Sequence, residues 1–200
     1  MQRIEKILPI LSALALVAFL ASPAVAFGVQ KPVVLPAMRW DTAPQASEWT
    51  RQALQQVAAH DAQLTHLVPD DVEVYCPGYA KASLDDRRAF WVSLLSATAK
   101  YESGFDARAL GAQGRYVGLM QIMPATARLY GCEATSTASL KDGAANLSCA
   151  IKIVAPRVAA DGMVAGKGNR GIARDWGPWS KSRNRAAIAT WTKAQAYCQS

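Results

Sequence analysis

Apolar residues recur at three- and four-residue intervals through much of the chain after residue 46, the spacing of helices that bury one face. Residues 47–67 place Trp49, Leu54, Val57, Ala58 and Leu64 at such positions, and Pro69 stops the pattern. A second helix is expected over residues 85–103, capped by Asp85 or Asp86 and closed at Gly104. A short third helix begins at Pro124 and closes at Gly131. A long fourth runs from Ser139 or Leu140 to about residue 160, and a last one covers roughly residues 184–197. Residues 75–79, 111–118 and 162–182 read as loops, the last two glycine-rich. No segment alternates convincingly as a strand. The pattern predicts a mainly α protein.

The start of the chain reads differently. Arg3 and Lys6 precede an uncharged apolar run over residues 7–21, and Ala24-Val25-Ala26 supplies a small-x-small cleavage pattern. Residues 1–26 are therefore expected to be a signal peptide, with export to the periplasm or cell envelope. The run is about fifteen residues, short of the roughly 20 that a helix needs to cross a bilayer, so no stable membrane insertion is expected after cleavage. An uncleaved anchor is the rival reading. No cysteine follows the run, which argues against a lipid anchor. Residues 27–75 are then expected to form an extended lead-in, with Pro32, Pro36 and Pro44, plus the first helix, and residues 76–200 the main domain.

Charge and cysteines narrow the partners. The 200 residues carry +7, of which Arg3, Lys6 and Glu5 leave a net +1 in the leader. A basic surface suits an anionic polymer. Export favours wall glycan, teichoic acid or anionic lipid, and no nucleic-acid partner is expected. The basic residues are scattered, apart from Lys181, Arg183 and Arg185. Cys76, Cys132, Cys149 and Cys198 all follow the leader, and an even count in an exported chain favours two disulfides. Three connectivities are open, of which Cys132–Cys149 with Cys76–Cys198 is preferred. Zinc is the weaker alternative, because the cysteines are dispersed and His60 and His66 lie far from them. No metal or cofactor is expected.

On a wheel of about 100° per residue, Glu102 shares a stripe with Leu95, Trp91, Thr98 and Ala99, while Lys100, Ser93, Ser96 and Asp86 fall opposite. Glu102 is then the one acid on the buried side of its helix, in the last turn, where the dipole disfavours further negative charge. Burial and dipole both raise its pKa, as a general acid requires. A buried Glu paired with a cation, or one emerging at the helix end, is the structural alternative.

The residues that follow decide between these readings. Tyr101-Glu102-Ser103-Gly104-Phe105 is succeeded by Gly118-Leu119-Met120-Gln121-Ile122-Met123-Pro124-Ala125-Thr126-Ala127. This resembles the SLT family of lytic transglycosylases, related in fold to goose-type lysozyme, and Asn146-Leu147-Ser148-Cys149 is similar to the start of a later family helix. The resemblance implies a lysozyme-like catalytic domain with a helical N-terminal extension. It implies Glu102 as the acid–base residue, Gln121 and Met123 lining the saccharide groove, and Gly118 admitting the sugar to the backbone. Ser103, Met120, Asn146 and Tyr116 complete the candidate substrate-binding set. For Gly118 a simple turn, for Met120 the core, for Ser103 the helix end and for Asn146 a buttress are the structural alternatives. Trp176, like Tyr116, is a candidate for stacking on sugars. The loop between Glu102 and Gly118 is about one residue longer than the family's form. The family's later Ala-Tyr-Asn-Ala-Gly-Pro stretch has no clear counterpart, the chain offering Ala173-Arg174-Asp175-Trp176-Gly177-Pro178 instead.

The implied reaction cleaves the MurNAc–GlcNAc bond with formation of 1,6-anhydro-MurNAc. Glycosidases of the ordinary kind use two carboxylates, and no other acid here sits in a motif. Hydrolysis in the manner of goose-type lysozyme, with Asp106 or Asp175 positioning water, is the alternative. A catalytically silent wall-binding protein of a secretion, pilus or phage machine is the other, and such machines are candidate assembly partners of the enzyme too.

Overall fold

The computed structural model describes residues 34–199; the expected signal peptide lies outside them. Five helices dominate: α1 (Ala46–Ala58), α2 (Leu84–Glu102), α3 (Pro124–Leu129), α4 (Gly143–Asp161) and α5 (Ser182–Lys193). Single 3-10 turns occupy Val72–Val74, Ser139–Lys141, Gly171–Arg174, Gly177–Ser180 and Ala196–Cys198. The fold is mainly α, as the periodicity predicts.

The boundaries differ from the expected ones for local reasons. α1 ends at Ala58 and the chain continues to residue 66 as turns. The cap of α2 is Ser83, whose hydroxyl accepts from the Asp86 amide at 3.1 Å; Asp85 and Asp86 lie in the first turn, where they favour the helix dipole. α4 starts four residues after Ser139, because Asp142 accepts from the Ala145 amide at 2.8 Å and caps it. Gly162, at φ 62°, closes it. The glycine-rich loop contains a two-stranded antiparallel hairpin, β1 (Leu110–Gly111) with β2 (Tyr116–Val117). Two-residue strands are too short for alternation to reveal.

α2 is the central element. α1 packs against α4 and α2, and α5 packs against α2. Every residue of α2 from Ala89 to Ala99 is buried. This corrects the wheel: Ser93 and Ser96 do not face solvent. Their hydroxyls donate back to the carbonyls of Phe90 (2.7 Å) and Ser93 (2.9 Å), and the Arg39 amide donates to the Ser96 hydroxyl (3.0 Å). Thr98 does the same to Leu94 and accepts from the Trp179 indole at 3.1 Å. The lead-in segment and the Gly177–Ser180 turn thus cover the faces that a one-stripe helix would leave wet.

Trp40, Trp91 and Trp179 are fully buried with each ring N–H satisfied, by Thr50, Tyr79 and Thr98 respectively. Burying a large apolar side chain stabilises by roughly 1.5–3 kcal/mol, and an orphaned N–H would cancel much of it. Two disulfides, Cys76–Cys198 and Cys132–Cys149, tie the loop before α2 to the Ala196–Cys198 turn and close a 17-residue separation between α3 and α4.

Candidate active site

α2 delivers Glu102 as its last residue, with Ser103 as the C-cap. Gly104 and Phe105 follow at φ 61° and 73°, left-handed conformations that turn the chain sharply away from the helix. Glu102 faces a groove of about 830 Å³ lined also by Tyr101, Tyr116, Gln121, Asp175, Trp176, Pro178, Lys181, Arg183 and Asn184. That volume is of the size typical of ligand clefts. A smaller extension of about 210 Å³ shares Tyr116, Gln121, Asp175 and Trp176 and adds Met123, Thr126, Ile153 and Arg174.

Glu102 makes no ion pair among the described residues. Burial alone pushes its carboxyl from 4.5 up to about 7. The other acid of the lining, Asp175, is tied to Arg157, whose Nε donates to it at 3.0 Å. Asp106 is exposed, accepts from the Arg108 amide at 2.8 Å, and is not part of the lining.

Gln121 is held in a left-handed conformation at φ 47° by its own side chain. Its Nε2 donates to the carbonyls of Gly118 (2.9 Å) and Ala109 (3.3 Å). Both amide donors are therefore spent on backbone, and only Oε1 remains to accept from a ligand. Gly111 makes room for it: a Cβ there would lie 2.2 Å from Oε1.

Four candidate residues do not line the groove or its extension. Met120 is fully buried in the core. Asn146 is fully buried on the first turn of α4, and its Nδ2 donates to the carbonyls of Val117 and Leu140, both at 2.9 Å. Its Oδ1 accepts from the Met120 amide at 2.9 Å, so no polar capacity faces a sugar. Gly118 is buried at φ 80°, and a Cβ on it would meet the Leu140 carbonyl oxygen at 2.3 Å. The close approach it permits is to the Ser139–Lys141 turn and to Asn146 of α4. Ser103 is partly buried at the helix end and donates to the Ala99 carbonyl at 3.3 Å.

Of the candidate set, Glu102, Gln121 and Tyr116 share the main groove and Met123 lines its extension. Tyr116 is 37% exposed, with its ring open to a stacking partner. Trp176 is 4% exposed and its indole donates to the Met120 carbonyl at 2.8 Å, which ties this wall to the Gly118–Gln121 turn. Sequence reasoning did not assign Tyr101, Pro178, Lys181, Arg183 or Asn184 to the site. Tyr101 adjoins Glu102 in the motif, and the Lys181–Arg185 cluster is visible as charge, but only tertiary structure brings residues 181–184 to the groove.

Residues 81–162 match the family described as the transglycosylase SLT domain, a stretch that contains α2, the hairpin, α3 and α4. No curated protein matches the sequence. Among solved structures, wild-type Bd0314 DslA (form 2) is 27% identical with a TM-score of 0.73, covering 82% of this chain and 98% of that one. A glutamate-to-glutamine mutant of the same protein is 26% identical at a TM-score of 0.73, covering 84% and 100%. A second such mutant is 27% identical at 0.72, covering 83% and 98%. An SLT domain is of the lytic transglycosylase type, with peptidoglycan as its substrate class. Over residues 81–162 this chain is similar to the transglycosylase SLT domain family.

Proposed function

We propose that this protein is an exported lytic transglycosylase that cuts the MurNAc–GlcNAc bond of peptidoglycan, with Glu102 as general acid and then general base. The supporting observation is a half-buried carboxyl in a groove, free of any cationic partner among the described residues and proton-bearing up to about pH 7. Such a group delivers a proton to a leaving glycosidic oxygen at neutral pH. In this reading Glu102 protonates that oxygen while the MurNAc acetamido group supports the anomeric carbon. The Glu102 carboxylate then takes the proton of the C6 hydroxyl, whose oxygen closes the 1,6-anhydro ring. Atoms balance without water. Gln121 Oε1, Met123 and Tyr116 would hold the glycan. Residues 1–26 would direct export and be removed, leaving residues 27–75 as an N-terminal extension to a catalytic domain over 76–200. A secretion, pilus or phage assembly would be a candidate partner.

One observation favours a second reading. Asp175 lines the same groove, so a second carboxylate is at hand to orient water for hydrolysis. Its bond to Arg157 supports a structural role instead. Mass spectrometry of digested sacculi separates the two. Anhydro-muropeptides support the transglycosylase; products heavier by one water, with no anhydro species, reject it in favour of a muramidase.

A further inference from the structure

Of the three clustered cations near the start of α5, Arg185 is internal: its Nη1 donates to the carbonyls of Trp179 (2.6 Å) and Ser180 (3.0 Å). Lys181 and Arg183 differ. Both are exposed, both line the groove that contains Glu102, and neither joins an ion pair among the described residues. The two acids of that groove do not neutralise them, since Asp175 is bound by Arg157 and Glu102 keeps its proton up to about pH 7. Asn184, beside them in the lining, adds an amide that can hydrogen-bond the same ligand. The groove lining therefore carries two cations that no ion pair among the described residues offsets. Amide and hydroxyl groups of the sugars give such a field no charge to act on. On a peptidoglycan strand the negative groups are the carboxylates of the peptide stems.

Resting on the reading of this groove as a peptidoglycan site, we propose that Lys181 and Arg183 bind a stem-peptide carboxylate of the strand being cut. They are specificity-determining residues that favour strands still bearing charged stems. Opposite charge across a wet interface acts on selection and encounter more than on raw affinity, so its signature is a ratio between substrates.

The test compares soluble uncrosslinked strands, N-acetylated on their amines, before and after amidation of their carboxyl groups. Wild type and the Lys181→Gln/Arg183→Gln double variant are assayed on both at low salt, because exposed charges are screened beyond about 10 Å at 0.1 M. Amidation is expected to lower kcat/KM of the wild type about tenfold and that of the double variant less than about twofold. An equal loss in the two proteins, or no loss in the wild type, overturns the proposal and leaves the role of Glu102 standing. Failure of the wild type to cut either substrate overturns both.

Discussion

Gly118 and Asn146 are packed so closely that a Cβ on Gly118 would lie 2.4 Å from Asn146 Nδ2. The contact fastens the turn that carries Gln121 to the first turn of α4, and α4 in turn packs on α1. The turn is thus set by a buried amide whose nitrogen and oxygen are both bonded within the protein.

Gly118→Ala is predicted to destabilise the protein by about 3 kcal/mol or more, since it combines a positive φ with a collision. Asn146→Leu leaves the Met120 amide and two carbonyls without their partner and should cost about 2–4 kcal/mol. Thermal denaturation checks both. If Asn146→Leu melts like the wild type but binds glycan poorly, Asn146 belongs to the ligand after all.

Gly111→Ala is predicted to displace the Gln121 amide while leaving the core intact. kcat/KM on glycan strands should fall about tenfold or more, with a melting shift of under about 3 °C. Unchanged kcat/KM would remove Gln121 from the binding surface.

The Cys76–Cys198 bridge spans 122 residues and the Cys132–Cys149 bridge 17. By the chain-entropy estimate their removal costs about 4–5 and about 3 kcal/mol respectively. Urea melts of Cys76→Ser/Cys198→Ser and Cys132→Ser/Cys149→Ser should rank in that order. The reverse order would place strain or unfolded-state structure above loop length.

Much of this was open to reading in the sequence. Tyr101 to Ala127 carries its motif in adjacent residues, and the apolar spacing outlines α2 and α4. What periodicity could not convey is coverage from elsewhere. Ser96 reads as solvent-facing, yet the amide of Arg39, 57 residues upstream, donates to its hydroxyl. Nor does a polar residue in a motif announce its partner: Asn146 and Gln121 both look like ligands for sugar, and both spend their N–H groups on backbone. Lys181 and Arg183 reach the groove through the fold of residues 162–182, which has no periodic signal.

Glu102→Gln is predicted to reduce sacculus solubilisation by about 10²- to 10⁴-fold while retaining binding to sacculi. The variant also has a stability signature. A folded-state pKa near 7, above the ordinary 4.5, means that the unfolded chain gives up this proton before the folded one does. Ionising Glu102 therefore costs stability progressively as pH rises from about 4.5 to about 7, and the full cost is present above that. Glu102→Gln escapes it: it should match the wild type near pH 4 and exceed it by about 3 kcal/mol near pH 8. Denaturant melts at the two pH values measure this difference. A constant offset between the two proteins would contradict the linkage.

The most direct measurement is the titration of Glu102 itself, by carbon NMR of side-chain carboxyls with the resonance assigned by its loss in Glu102→Gln. A midpoint near pH 7 is predicted, as burial at the end of α2 requires. A midpoint near 4.5 would mean an ordinary, ionised carboxylate at neutral pH, and the proposed acid would have no proton to give.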